Sequence, residues 1–342
     1  MKSHFARRHA APGLQPPTTI LTTVLWWIGC WAAPWVIAPP PAAAQDASVP
    51  AAEELKLETS DGWRIAAWYY AAPTEAKATA TVILIHDLGG SHKTVVDLAR
   101  SLQRAGCAVV APDLRGHGAS LTRPGDDNGV KGDSADPHQL LRKGDFEAMA
   151  TSHGRVRDDP KSSQRGDIEA VRDWIKRQSE AGALDIDRLC IVGSGLGATL
   201  ASLWTAADWN WPPTTAGPQG QQVRAVVLVS PAMSKRGLSM TAPFASEPFR
   251  LTVPVMVLAG TGDRDASRLF DQFKRFRPRE WFQQRDGQPP EKARELDDAA
   301  DATAFFIQCN TSLSGDKLAT DATVNVAEKV KTFIALALAR KD

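Results

Sequence analysis

The sequence predicts an α/β fold with a mostly parallel central sheet, helices on both faces and an antiparallel hairpin at its N-terminal side. Three features indicate this class. Short continuous apolar segments, typical of strands buried on both faces, alternate with longer segments of helical periodicity. Two segments of alternating polarity, joined by Asp61-Gly62, come before the first of them. The length of 342 residues is ample for one large domain of this kind.

The individual elements follow from the same patterns. Alternating apolar and polar residues predict a hairpin with strands at residues 53–60 and 63–71. Buried strands are predicted at residues 81–86, 107–112, 188–192, 223–229, 253–259 and 302–309. Helices are predicted at residues 94–105, 168–179, 196–207 and 324–339. Because strands that are connected through helices run parallel, the sheet is expected to be parallel apart from the hairpin.

Two charged stretches, residues 121–166 and 277–300, interrupt this alternation. Both combine many charged residues with proline and glycine, so we interpret them as surface insertions. The first insertion follows the carboxyl end of a strand, and residues 140–149 within it have helical spacing. From that position it could partly cover the functional edge of the sheet.

The N-terminal segment has the three parts of a secretory signal peptide. A start with three basic residues is followed by an apolar stretch at residues 20–38, and small residues stand at positions −3 and −1 before Gln45. The alternative is an uncleaved membrane anchor, since the stretch is about long enough to span a bilayer, although Pro34 interrupts it. We expect cleavage after Ala44.

Cleavage would divide the chain into a signal peptide at residues 1–44, a linker at residues 45–52 and one domain at residues 53–342. The protein is then expected to be exported, either to the periplasm or as a secreted protein. Contact with a membrane is expected only through the N-terminal segment, if that segment remains uncleaved.

Charge and cysteine content restrict the function further. The chain has 40 basic and 39 acidic residues, so no broad basic surface for nucleic acid is expected. Three cysteines lie outside the signal peptide, Cys107, Cys190 and Cys309. Because the number is odd and the first two fall in apolar strand segments, we predict buried free thiols rather than disulfides.

Four glycine-rich loops follow predicted strands, at the edge where parallel α/β sheets form their sites. They read His86-Asp87-Leu88-Gly89-Gly90-Ser91, Asp113-Leu114-Arg115-Gly116-His117-Gly118, Gly193-Ser194-Gly195-Leu196-Gly197 and Gly260-Thr261-Gly262-Asp263. In this order and spacing they resemble the loops of the α/β-hydrolase family, especially dienelactone hydrolases and related serine peptidases. That family carries an HG-x-GG-type loop, a DxRGHG loop, a G-x-S-x-G nucleophile elbow and a late G-x-x-D loop. The resemblance covers about residues 53–340 and implies the α/β-hydrolase fold.

The resemblance places the catalytic triad on residues that differ from the family pattern. Gly195 stands where the nucleophile belongs, and glycine has no side chain with which to attack. The family histidine follows the last strand, where this chain has Ser314, and all seven histidines precede the elbow. Asp263 fits the acid position. The backbone N–H groups of Leu88 and Leu196 correspond to the oxyanion hole.

Other side chains near these loops are candidates to replace the missing nucleophile or base. Ser194 is adjacent to the nucleophile position, but neighbouring side chains on a sharp turn point in different directions. His86 and His117 stand in loops that carry structural histidines in the family. His138 and His153 lie in the first insertion, from which either could reach the site. The substitution Gly195→Ser alone should not produce serine-hydrolase activity. Gly195→Ser together with Ser314→His would rebuild the triad geometry if Asp263 is the acid.

We therefore interpret the protein as a non-catalytic hydrolase-fold protein whose cleft binds an unknown small molecule or protein partner. The alternative is an active serine-type hydrolase with a non-standard site. A third hypothesis is dinucleotide binding, because Gly193, Gly195 and Ala198 satisfy G-x-G-x-x-A at a strand–helix turn. In the preferred interpretation no cofactor or metal ion is expected. Gly195 is predicted to have positive φ.

Overall fold

A computed structural model describes residues 49–73, 78–121, 137–151, 166–215 and 217–340. The predicted signal peptide and His153 lie outside the described residues, as do parts of the first insertion. Among the described residues, no helix combines the length and apolar character that crossing a membrane requires.

Twelve strands are present in the described part of the chain, and we number them in chain order. They are β1 (Glu53–Glu58), β2 (Arg64–Tyr70), β3 (Thr81–Ile85), β4 (Ala108–Pro112), β5 (Leu189–Ser194), β6 (Val223–Val229), β7 (Ser234–Lys235), β8 (Leu238–Ser239), β9 (Val255–Gly260), β10 (Trp281–Arg285), β11 (Glu291–Lys292) and β12 (Ala304–Cys309).

The same residues form eight α-helices. They are α1 (Val96–Arg104), α2 (Lys143–Met149), α3 (Asp167–Glu180), α4 (Leu196–Trp209), α5 (Glu247–Leu251), α6 (Arg264–Phe276), α7 (Gly315–Ala319) and α8 (Val326–Ala339).

Ten of the strands form one sheet in the order β1-β2-β4-β3-β5-β6-β9-β12-β10-β11. The strands from β4 to β10 in this order are parallel, whereas β1 pairs with β2, and β2 with β4, in antiparallel fashion. The predicted α/β-hydrolase fold, with its parallel sheet and N-terminal hairpin, is therefore confirmed. Parallel strands bring their carboxyl ends to one edge, which is where the functional loops lie.

The second insertion, residues 277–300, extends the sheet. It contributes β10, which runs parallel to β12, and β11, which pairs with β10 in antiparallel fashion. Its aromatic residues explain this, because Trp281 and Phe282 are partly buried against the hydrophobic core. Apart from Arg277, which is buried, the charged residues of the segment lie at the surface.

The described part of the first insertion, residues 137–151, packs against the loops at the carboxyl edge. It forms a 3-10 turn at Pro137–Leu140 followed by α2. Phe146 and Met149 of α2 are buried in the core, so this helix is packed firmly against the domain. The segment can therefore support the loops that form the site.

The core consists of two apolar layers, one on each face of the sheet. In β3, Ile83 and Ile85 belong to one layer and Val82 and Leu84 to the other. This double burial explains why the strand segments are continuously apolar. Each such side chain contributes about 1.5–3 kcal/mol when it leaves water.

The three described cysteines are free and buried, as predicted. Cys107 precedes β4 and Cys190 lies in β5, and β3 separates these two strands in the sheet. Burial raises the pKa of all three thiols, that of Cys309 to about 11. A raised pKa keeps a thiol protonated and unreactive near neutral pH.

Candidate functional site

A cleft of about 470 Å³ opens at the carboxyl edge of the sheet. The three positions that the sequence assigns to the catalytic triad, Gly195, Asp263 and Ser314, all line it. Asp87 and Lys235 line it as well. The structure thus brings together the residues that the sequence pattern predicts, although Gly195 and Ser314 are more than a hundred positions apart in the chain.

Gly195 forms the tip of the turn between β5 and α4. Its φ is 52° and its ψ is −113°, which confirms the predicted positive φ. Its N–H donates to the carbonyl of Val229 over 2.8 Å and so ties the turn to β6. Any other residue would hold this conformation at a cost of about 1–3 kcal/mol.

Asp263 caps the N-terminus of α6. Its Oδ1 accepts a hydrogen bond from the backbone N–H of Ala266 over 3.0 Å. Burial raises the pKa of this carboxyl, and the neighbouring Asp265 adds to that effect, while the N–H of Ala266 and the Ser230 hydroxyl oppose it. A capping role accounts for the residue without a catalytic histidine beside it.

Ser314 immediately precedes α7 and its side chain makes no capping hydrogen bond to that helix. The next residue, Gly315, has a φ of 57°. None of the described residues that line the cleft is a histidine. The position that the family resemblance assigns to the catalytic base thus carries a hydroxyl, which does not accept a proton near neutral pH as an imidazole does.

The two N–H groups that the family resemblance assigns to the oxyanion hole converge on a carboxylate of the chain itself. The N–H of Leu88 donates to Asp87 Oδ1 over 2.6 Å, and the N–H of Leu196 donates to the same oxygen over 2.7 Å. Lys235 Nζ lies 2.7 Å from this oxygen. Hydrogen bonds between charged partners of this kind are short and strong.

The Asp87 carboxylate also fills the space where a nucleophile would stand. A Cβ atom added to Gly195 would overlap the carboxylate carbon and both carboxylate oxygens of Asp87. A Cβ atom on Gly315 would approach Asp87 Oδ2 to 2.6 Å. The carboxylate therefore occupies the volume between the nucleophile and histidine positions.

Comparison with known proteins shows the family of the chain. The sequence matches the profile of the alpha/beta hydrolase family over residues 82–324, more than half of the chain. The chain belongs to this family. Two uncharacterized proteins of Mycobacterium tuberculosis are 24% identical to it over 161 residues, which cover 47% of this chain and 43% of each relative. The chain thus matches less than half the length of these relatives.

Solved structures share the fold at low identity. A complex of DcsB with its substrate analogue has a TM-score of 0.52 at 13% identity and covers 85% of this chain and 100% of that chain. The α/β hydrolase GrgF from Penicillium sp. sh18 has a TM-score of 0.50 at 10% identity, with the same 85% and 100% coverage. A putative dienelactone hydrolase from Klebsiella pneumoniae has a TM-score of 0.49 at 17% identity, again with 85% and 100% coverage. At these identities the similarity concerns the fold alone.

Ser194, the neighbour of the nucleophile position, is buried and engaged. Its hydroxyl donates to Asp316 Oδ1, which also accepts the backbone N–H of Asp87 over 2.8 Å. The other oxygen of Asp316 accepts from Thr94 Oγ1 over 2.5 Å. Ser194 is only 2% exposed, so its hydroxyl cannot meet a substrate in the cleft.

The described histidines of the family loops serve as structural groups. His86 Nδ1 lies 2.7 Å from the carbonyl of Asp87, and His86 Nε2 accepts the N–H of Leu114 over 3.1 Å. Burial, with the neighbouring His86, lowers the pKa of His117 to about 3. His138 stacks on His117 with ring centres 5.0 Å apart and is not among the residues that line the cleft. These rings support the loop that carries Asp87.

The DxRGHG loop is likewise a buried scaffold. Arg115 Nε donates to Asp167 Oδ1 over 2.7 Å, and Arg115 Nη1 donates to Asp61 over 2.6 Å. Asp113 accepts the backbone N–H groups of His92 over 2.6 Å and Ala119 over 2.8 Å. The loop fixes the hairpin and α3 to the sheet and contributes no group to the cleft.

Three site residues were not found from the sequence, namely Asp87, Lys235 and Asp316. A signal existed for Asp87, because it stands where the HG-x-GG pattern has its first glycine. Lys235 lies in β7, a two-residue strand outside every family motif, so only the folded chain connects it with Asp87. Asp316 follows the histidine position by two residues and carries no pattern of its own.

Proposed function

We propose that this protein is an exported, non-catalytic member of the α/β-hydrolase family whose cleft binds a polar small molecule or a protein segment. One observation carries the proposal. The nucleophile position at Gly195 has no side chain, and the described cleft contains no histidine that could act as a base. A serine-hydrolase cycle needs both groups, since the base removes the proton of the nucleophile and returns it to the leaving group.

The alternative, an active serine-type hydrolase with a non-standard site, has weaker support. Ser194 is buried, and its hydroxyl donates to Asp316. Ser314 lines the cleft, but no imidazole stands among the described residues that line the cleft with it. A hydroxyl without a base remains protonated and is a poor nucleophile.

Dinucleotide binding through Gly193, Gly195 and Ala198 is also disfavoured. A pyrophosphate in that mode requires free N–H groups at the helix N-terminus. The N–H of Leu196 donates instead to Asp87, so that donor is not available to a cofactor. The strand that would supply the ribose-binding acid, β6, is followed by Ser230 and Pro231.

The lining of the cleft supports a polar ligand. Hydroxyl groups come from Ser230, Thr261, Ser312 and Ser314, and the only described side chains of more apolar character are Pro231, Ala232 and Leu313. The hydrogen bonds that the Asp87 carboxylate accepts from other described residues all end on its Oδ1. Its Oδ2 is therefore left as an acceptor for a ligand. A ligand that offers hydroxyl or ammonium donors would match this surface better than an acyl chain.

The proposal is tested by treating the purified protein with a fluorophosphonate probe and with a panel of nitrophenyl esters. We expect neither covalent labelling nor turnover above the uncatalysed rate. Stoichiometric labelling of the wild type at any serine, with turnover lost when that serine is replaced by alanine, would overturn the proposal. A labelled serine outside the cleft, without turnover, would indicate adventitious reactivity and would leave the absence of catalysis standing.

A further inference from the structure

The N-terminus of α4, together with the loop after β3, forms an anion site that the chain fills from within. The N–H groups of Leu88 and Leu196 both point at one acceptor, and the 14-residue helix α4 adds a favourable dipole. The cation Lys235 completes the site. We infer that Asp87 is an intramolecular ligand that closes this oxyanion hole to external anions, and that Lys235 holds it in place. The inference rests on the proposed non-catalytic function and deepens it.

The two backbone N–H groups of the site are already engaged. Each is a single donor, and both donate to Asp87 Oδ1, over 2.6 and 2.7 Å, with Lys235 Nζ at 2.7 Å from the same oxygen. An incoming anion must therefore displace Asp87 and separate it from Lys235. The displaced carboxylate would stay covalently attached beside the site, so it competes at high effective concentration.

Lys235 is positioned by the hairpin of β7 and β8, which packs against α2. The turn that joins β7 to β8 has Arg236 and Gly237 at φ values of 54° and 81°, the conformation of a tight hairpin turn. Gly237 packs closely against the aliphatic part of Lys143 in α2, and the Arg236 guanidinium lies 5.8 Å from the ring centre of Phe146. The first insertion thus positions the hairpin that carries Lys235.

The loop that carries Asp87 is fixed from the opposite side. Asp316 accepts the backbone N–H of Asp87 over 2.8 Å and the hydroxyl of Thr94 over 2.5 Å. The Asp87 and Lys235 side chains are 24% and 30% exposed, so the ion pair is partly shielded from water and salt. The arrangement is a preorganised closed state rather than a chance surface pair.

The test is to open the hole in one variant and to keep it filled in a matched one. Asp87→Gly removes the internal carboxylate, whereas Asp87→Asn keeps a side-chain oxygen that can still accept from Leu88 and Leu196. Acetate is titrated at constant ionic strength, with chloride as the balancing salt, and the amide signals of Leu88 and Leu196 are followed by NMR. We expect saturable shifts in Asp87→Gly, with an affinity at least about tenfold higher than in Asp87→Asn or the wild type.

Either of two results would overturn the inference. One is a folded Asp87→Gly variant whose Leu88 and Leu196 amides ignore acetate. The other is a wild type in which the same amides respond to acetate as strongly as they do in the variant.

If Asp87→Gly does not fold, amide hydrogen exchange of the wild type tests the inference instead. Slow exchange at Leu88 and Leu196, made faster by Asp87→Asn, supports the closed hole, and exchange at the rate of free amides contradicts it.

The outcomes separate this inference from the proposed function. Fluorophosphonate labelling with turnover in the wild type would defeat the non-catalytic function, whatever acetate does. An acetate response in the wild type would show an open oxyanion hole and leave the missing nucleophile and base unaffected.

Discussion

At the scale of single residues, the site is governed by mutual exclusion between Asp87 and a side chain at position 195. The elbow places the Cβ of any non-glycine residue inside the Asp87 carboxylate. An aspartate at position 87 in this conformation therefore requires glycine at position 195. The same carboxylate also accepts the N–H groups of Leu88 and Leu196, the two donors that the family resemblance assigns to the oxyanion hole.

Gly195→Ser should destabilise the protein because the new side chain adds backbone strain and collides with Asp87. Strain of about 1–3 kcal/mol is expected at this φ, and the collision adds to it. In an Asp87→Gly background the collision is removed, so the two substitutions should show a favourable coupling of about 1–3 kcal/mol. Urea denaturation of the wild type, both single variants and the double variant measures this. Additive effects would show that the two side chains do not compete for space.

We expect that rebuilding serine-hydrolase chemistry needs three changes, one more than the sequence alone predicts. Gly195→Ser with Ser314→His supplies a nucleophile and a base, but Asp87 still fills the oxyanion hole. We expect fluorophosphonate labelling only when Asp87→Gly is added, with Asp263 as the acid. The double variant is the matched control, and an oxyanion hole with binding alone is worth about 10³-fold over water. Equal labelling of the double and triple variants would show that Asp87 leaves the hole readily.

At the scale of elements, α3 and α4 are joined by a buried polar cluster. Trp204 Nε1 donates to Glu169 Oε2 over 3.0 Å, and Arg172 lies 3.8 Å from Glu169 Oε1. Asp208 of α4 accepts the backbone N–H of Gln222 over 2.8 Å. Burial raises the pKa of Glu169 to about 7 and that of Asp208 to about 6, and Arg172 opposes both shifts. The helices that position the elbow are thus tied together by groups that titrate near neutral pH.

The Glu169 carboxyl should make stability fall as the pH rises from about 4.5 to about 7. In this window the folded state binds a proton that the unfolded state has lost, so rising pH favours unfolding, and above about pH 7 the effect is complete. At about 1.4 kcal/mol per pKa unit, the loss amounts to at most about 3.5 kcal/mol. Urea denaturation between pH 4.5 and 8 measures it.

Glu169→Gln is the matched control, because the amide keeps the acceptor for Trp204 but does not titrate. The difference in unfolding free energy between wild type and variant should change with pH up to about pH 7, and above the Asp208 pKa of about 6 that carboxyl contributes least to the change. A difference that stays constant across the range would mean that Glu169 is ionised in the folded protein throughout.

At the scale of the whole molecule, the carboxyl edge of the sheet carries the site, and the outer strands form its two sides. The carboxyl edge carries the cleft, the Asp87 loop and the Lys235 hairpin. The hairpin of β1 and β2 and the added strands β10 and β11 close the sheet at its two sides. The buried thiols lie within this framework and take no part in the cleft.

Export remains a prediction that can be measured directly. Expression of the full chain in a bacterial host, followed by N-terminal sequencing of the periplasmic or secreted protein, should give Gln45 as the first residue. Replacing Ala44 by a bulky residue should block processing and leave the protein attached to the membrane fraction. Efficient recovery of an unprocessed soluble chain would contradict the signal peptide.

The thiols offer a test of the fold as a whole. In the native protein, Cys107, Cys190 and Cys309 should not react with a thiol reagent near pH 8, since each is buried and its pKa is raised. After denaturation without reductant, all three should react. Fewer thiols after denaturation would indicate a disulfide that the structure does not contain.

The sequence by itself determined the fold class, most of the strands of the parallel sheet and the loops that line its carboxyl edge. These features depend on local periodicity and on short motifs, such as the elbow around Gly195, whose φ follows from one tight turn. The strand in the second insertion was not predicted from the sequence. Trp281–Arg285 becomes a strand by pairing with β12, a partner that local periodicity does not indicate. Only the tertiary structure decided that Asp87 fills the oxyanion hole and that Lys235 holds it there. Residues 87, 196, 235 and 316 meet solely because separate strands end at the same edge of the sheet, and no pattern along the chain records that proximity.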